Sequence, residues 1–175
     1  MASRAEKILI LDRGNVELAF PKKWTVKLEP EGHMSLTDPG DSAKLEVSYL
    51  PFGIPKDEGP PLADLLRQVL EKMPGEPAPL GEVVSADRGD LWLAWADRPH
   101  ECDDTERHER RKAHTRTLIA SNGRFYVIVT FAYWHDDLGW AVPAWERMMA
   151  TLHLGDGTQL GSAFEHWSMK NRGRG

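Results

Sequence analysis

A chain of 175 residues, 41% hydrophobic and 28% charged with a net charge of -5, has the makeup of one globular domain long enough to bury a core without covalent staples. The acidic balance argues against a general attraction to nucleic acid, which needs clustered, uncompensated Lys and Arg, and the single cysteine, Cys102, excludes an internal disulfide. The apolar run from Ile8 to Leu11 is shorter than the core of a signal peptide and far below a membrane span, so a cytoplasmic protein with no membrane contact is expected.

Lys7 to Leu11 predicts a short strand, stopped at Asp12-Arg13-Gly14-Asn15. Val16, Leu18 and Phe20, then Trp24, Val26 and Leu28, then Met34 and Leu36, then Leu45, Val47 and Tyr49 alternate with polar or small residues between Gly, Pro and Asp breaks. Period-two apolarity of this kind predicts three or four antiparallel strands at the start of the fold. After Pro60-Pro61, Leu62, Leu65, Leu66, Val69, Leu70 and Met73 recur at helical spacing, and the proline-rich stretch Pro74 to Pro79 ends that helix. A strand from Gly81 to Ala86, a turn at Asp87-Arg88-Gly89-Asp90 and a strand from Leu91 to Arg98 follow, and then an acidic loop from Pro99 to Thr105.

From Arg107 to Trp134 two long arms flank Asn122-Gly123, the strongest short hairpin signal. A two-residue type I′ turn there pairs Ala120 with Phe125, Leu118 with Val127, Arg116 with Val129, His114 with Phe131 and Lys112 with Tyr133, all on one face. The other face collects Ile119, Tyr126, Thr117, Ile128, Ala113, Ala132, Arg111 and Trp134, with Arg111 beside Trp134 and Lys112 beside Tyr133 as cation-aromatic pairs. Trp140, Ala141, Ala144, Trp145, Met148, Met149 and Leu152 predict a second helix from Val142 to Leu152, with Pro143 in its first turn. Trp24, Trp92, Trp95, Trp134, Trp140 and Trp145 are expected to pack in the core. Residues 1–154 form one domain on this reading, and 155–175 a polar tail.

Strands, a helix, more strands with a long hairpin and a closing helix give an α+β order. Phe20-Pro21-Lys22-Lys23-Trp24, Leu36-Thr37-Asp38-Pro39, Leu45-Glu46-Val47-Ser48 and the Phe125 to Phe131 strand before a Trp-bearing helix resemble the PsbP-like superfamily. That group includes photosystem subunits, a Ran-binding protein and small bacterial relatives, among them secretion effector chaperones. The resemblance spans Val16 to Leu152 and implies an antiparallel sheet flanked by helices, an α/β/α sandwich used mostly as a non-catalytic scaffold. It brings no shared catalytic set.

Three clusters carry potential chemistry. His100, Cys102, Asp103, Asp104 and His108 supply the ligand types a transition metal accepts, yet without paired Cys or His spacing, so a polar loop is the competing account. Arg107, His108, Arg110, Arg111, Lys112, His114 and Arg116 form a basic run interleaved with acids, either an anion or acidic-partner surface or a solvated strand face. His135-Asp136-Asp137 offers an imidazole beside carboxylates, or simply an acidic helix start. No nucleophile elbow, phosphate loop or dinucleotide fingerprint occurs, and no cofactor is expected. The leading expectation is a non-enzymatic domain that binds a protein partner through Arg111, Tyr133, Trp134 and Trp140, aromatic and Arg side chains being the usual anchors. The alternatives are a small-molecule or metal binder or enzyme with a pocket at the polar end of the hairpin, using His114, Arg116 and His135, and a bacterial secretion effector chaperone, which calls for an apolar groove and a homodimer.

Overall fold

The computed structural model describes residues 5–73 and 80–156. The strands are β1 (Glu6–Leu11), β2 (Val16–Pro21), β3 (Thr25–Leu28), β4 (Met34–Thr37), β5 (Ala43–Leu50), β6 (Val84–Asp87), β7 (Trp92–Asp104), β8 (Glu109–Ser121), β9 (Tyr126–Trp134) and β10 (His153–Leu154). The helices are α1 (Leu62–Lys72) and α2 (Leu138–Ala150). Seven strands form one antiparallel sheet in the order β3-β4-β5-β9-β8-β7-β6, and β1-β2-β10 form a separate small sheet. The α+β class expected from the element order holds. The opening strands, however, divide between two sheets, since β1 and β2 pair with each other and with β10.

Strand alternation gives the large sheet two apolar faces. Leu66 of α1 packs with Leu62 and Leu70 against Ala94, Ala96, Ile119 and Tyr126. On the opposite face Phe125, Val127, Val129 and Phe131 of the hairpin meet Trp145 and Met148 of α2 together with Val16, Leu18 and Phe20 of β2. Phe131 sits between Trp24 and Trp145, with ring centroids 6.2 and 5.8 Å away. Trp24 and Trp145 are buried as expected, while Trp92, Trp95 and Trp134 are half-buried and Trp140 is 38% exposed.

The hairpin is present, with a register two residues from the predicted one. Ser121 pairs with Tyr126, Leu118 with Val129, Arg116 with Phe131, His114 with Tyr133 and Ala113 with Trp134, so the turn is the four-residue loop 122–125. A type I′ turn needs two positive φ angles, and of the Asn-Gly pair only Gly123 has one, 83°. The Asn122 side chain instead makes the turn: its Oδ1 accepts from the amides of Arg124 (3.0 Å) and Phe125 (3.2 Å), while Ser121 Oγ donates to the Phe125 carbonyl (2.7 Å). A slip of two keeps every side chain on its expected face.

The expected acidic loop from Pro99 is strand: β7 pairs with β8 residue for residue from Trp92↔Ser121 to Asp104↔Glu109. Pro99 is tolerated because β6 pairs only with Trp92 to Trp95, and the Asp97 carbonyl points outward to accept the Gly81 amide (3.0 Å). Pro99, two residues on, turns its missing donor to the same outer edge and leaves the β8 ladder intact. The β6 strand starts at Val84, later than the Gly81 predicted. Helix α2 starts at Leu138, four residues earlier than predicted, which puts Pro143 inside it and takes away the donor for the Gly139 carbonyl. Helix α1 follows Pro61 as predicted and ends at Lys72, Met73 being extended. The proline-rich stop at 74–79 and the tail beyond Asp156 lie outside the described residues. No helix among the described residues is long and apolar enough to cross a membrane.

Candidate functional site

The far end of the β7-β8-β9 ladder gathers polar side chains on both faces. On the α2 face Arg116 lies opposite Asp97 and Phe131, and His114 lies opposite Pro99 and Tyr133. Asp97 Oδ2 is 2.8 Å from His114 Nδ1, and His114 Nε2 is 2.9 Å from His135 Nδ1. The other Asp97 oxygen accepts from the Tyr133 hydroxyl at 3.4 Å and lies 3.7 Å from Arg116 Nε. Burial pushes the Tyr133 phenol up to about 12, so it stays a proton donor at neutral pH. Arg116 sets its guanidinium 4.8 Å over the Trp95 ring, and its buried Nε finds no hydrogen-bond partner among the described residues.

Asp97 is acceptor-only when ionised, so His114 carries its proton on Nδ1 and presents a lone pair at Nε2. The His135 Nδ1–H donates to it, and the row Asp97–His114–His135 runs from the sheet to an exposed imidazole. Such a row orients and moves protons. No Ser, Thr or Cys side chain among the described residues hydrogen-bonds either ring.

On the opposite face Arg111 lies over Trp134, its guanidinium carbon 4.4 Å from the ring centroid, as the cation-aromatic pairing predicted. Its Nη1 donates to Asp104 at 2.7 Å and its Nη2 to Asp136 at 3.1 Å, leaving the side chain 11% exposed. The guanidinium, helped by the Arg107 and Glu106 amides, holds the Asp104 carboxyl below the usual carboxylate range. Asp104 in turn raises Arg111. Trp140 stands nearby in the chain, its Nε1 donating to Asp137 at 3.0 Å. Two clefts meet at Trp134. One of about 170 Å³ is lined by Lys44, His100, Cys102, Ala113 and Ala132, and one of about 350 Å³ by Asp41, Asp104, Arg107, Arg111 and Asp136.

Lys112, expected beside Tyr133, is exposed and pairs across the ladder with Glu101. His100 Nδ1 lies 3.2 Å from the Arg98 carbonyl, Cys102 lies two residues on along β7, and His108 occupies the β7-β8 turn with a φ of 53°. Among the described residues no group of three or more His, Cys, Asp or Glu side chains is placed to hold a metal ion. Burial, with Asp103 and Asp104 adding to it, raises the Cys102 thiol and keeps it from the thiolate form a metal prefers. Asp97, central to the α2-face row, is not among the residues the sequence offers, and Trp95, under the Arg116 guanidinium, is expected there only as core packing. The signal for both is parity: they alternate on one face of the Leu91 to Arg98 strand, and the β7-β8 pairing puts that face with Arg116.

A family model described as Alr1449 matches residues 7–157 of the chain. The uncharacterized protein alr1449 of a Nostoc species is 28% identical over 154 residues, covering 85% of this chain and 77% of that protein. Among solved structures, cyanobacterial PsbP from Synechocystis superposes with a TM-score of 0.62 at 11% identity, over 89% of this chain and 95% of its own. The Ran-binding protein Mog1p of Saccharomyces cerevisiae gives 0.55 at 8% identity, over 90% and 99%. A Bacteroides thetaiotaomicron structure gives 0.60 at 14% identity over 87% of this chain, which spans 49% of that protein. Identities this low establish likeness of fold, and they bear out the PsbP-like resemblance.

Proposed function

The chain belongs to the Alr1449 family, and we propose that it is a non-enzymatic protein-binding module whose partner docks at the polar end of the β7-β8-β9 ladder. The observation that carries this is Arg111, stacked on Trp134 and held by Asp104 and Asp136. An Arg-aromatic pair already fixed in place loses little side-chain entropy when a partner covers it, and such residues are the common anchors of interfaces. Trp140, 38% exposed, offers a second aromatic side chain six residues on from Trp134. The yeast fold neighbour is Ran-binding, and a scaffold of this shape that binds a protein favours the same class of activity here. We read α1 on one face, and α2 with the small sheet on the other, as the α/β/α sandwich of that scaffold.

The test is affinity capture with the native chain and with Trp134→Ala, followed by direct binding of any captured protein to both. Binding by the native chain that drops at least ten-fold in the variant supports the reading. Equal binding by both, or reproducible turnover of a small molecule with no protein ligand, overturns it. The second reading, a small-molecule binder or enzyme, rests on the Asp97–His114–His135 row, which would supply an acid-base group at the exposed His135 end of the ladder.

A further inference from the structure

We propose that the His114–His135 hydrogen bond is a proton-operated latch that holds the 3₁₀ turn before α2 against β8 and opens when both rings are charged. The two imidazoles lie 17° from coplanar with centroids 5.2 Å apart. Their facing nitrogens, 2.9 Å apart, are closer than the roughly 3.5 Å of rings touching face to face, so the rings meet edge to edge, along the in-plane lone pair. One ring must therefore donate and the other accept. With Asp97 taking the Nδ1–H of His114, the contact survives in the neutral pair and with one added proton. A second added proton puts an N–H on both facing nitrogens and two like charges across the contact, and it cannot persist.

Charged and titratable groups face the pair from several elements. The second oxygen of Asp97 from β7 is shared by Tyr133 from β9 and Arg116 from β8. Arg116 and Lys112 share the His114 face of β8, Glu101 lies across the ladder from Lys112, and Asp136 and Asp137 follow His135 in the turn. Ala141, Trp145 and Met148 keep α2 in the core, so the second step frees only the 3₁₀ turn His135–Asp137. That turn holds Asp136 on Arg111 and Asp137 on the Trp140 indole.

The latch concerns the free chain and needs no partner. It is tested by nitrogen-detected NMR of both imidazoles and of the Asp136, Asp137 and Trp140 signals between pH 8 and 5. The expected result is two coupled imidazole steps, with the turn and indole signals moving only in the lower one, and loss of that movement in His135→Ala, a change at an exposed residue. Two rings titrating as independent single steps, or turn signals that follow the same pH profile in His135→Ala, would overturn the latch.

Discussion

Arg111 lies over Trp134 with its guanidinium carbon 4.4 Å from the ring centroid, although the two are not opposite each other in the ladder, where Trp134 faces Ala113. The diagonal suits a long side chain reaching back along the strand, and it leaves Nη1 and Nη2 free for Asp104 and Asp136. A lysine keeps the charge but not the planar stack or the two-way fork. Arg111→Lys is therefore expected to weaken the coupling to Trp134 by about 0.5–1 kcal/mol, read as the interaction energy of a double-mutant cycle with Trp134→Ala. A cycle that returns zero for the native pair would show the stack to be incidental.

Asp104 makes that arrangement sensitive to acid. Its carboxyl is held below the ordinary range by Arg111, so the folded chain gives up this proton more readily than the unfolded chain does. The linked stability is complete above the unfolded carboxylate range and is lost as pH falls through that range toward the lower folded value. Glu29, lowered to about 2 by Ser35 and Lys27, adds a second contribution of the same sign. Urea midpoints measured from pH 7 to pH 3 should fall more steeply for the native chain than for Asp104→Asn. Parallel curves would show that Asp104 contributes nothing to the acid response.

Asn122 is expected to matter as a side chain and not as a positive-φ residue. Besides capping Arg124 and Phe125, its Nδ2 donates to the Gly155 carbonyl at 2.7 Å, tying the hairpin loop to the chain after β10. Three bonds of about 0.5–1.5 kcal/mol each put the cost of Asn122→Ala at about 1.5–4.5 kcal/mol, and Asn122→Gly, which a type I′ turn would accept, should cost as much. Equal stability of Asn122→Gly and the native chain in chemical denaturation would restore the two-residue turn.

The same residue shows where the sequence stops being legible. Alternation decides which face a side chain takes, so the faces of Arg111, His114, Arg116, Tyr133 and Trp134 were readable from the hairpin alone. Register was not, because it depends on whether Asn122 bonds through its backbone or its side chain, and both choices suit an Asn-Gly pair. The β7 extension was hidden for a related reason: Pro99 and the acids after it read as a loop until the outward turn of the Asp97 carbonyl shows that the proline sits on a free edge. The His114–His135 contact joins β8 to a turn 21 residues later, which no local pattern encodes. Pro143 suggests a first turn and so a late start for α2, whereas burial of Ala141, Trp145 and Met148 outweighs the one donor it removes.

Two glycines separate packing from backbone freedom. A Cβ on Gly53 would sit 2.5 Å from the Arg124 carbonyl carbon and 2.7 Å from the Arg124 nitrogen, both backbone atoms of the hairpin loop. Neither can move without disturbing the Asn122 turn, so Gly53→Ala is expected to cost about 1–3 kcal/mol by overpacking. Gly139 lies in the first turn of α2 with nothing within 4 Å of its added Cβ. There the methyl group meets open space and the unfolded chain loses conformational freedom, so Gly139→Ala should stabilise by about 0.4–1 kcal/mol. Thermal melts of the two variants should move in opposite directions. A Gly53→Ala variant as stable as the native chain would mean that the loop after β5 does not pack on the hairpin turn, and a destabilised Gly139→Ala would mean that α2 does not begin before Trp140.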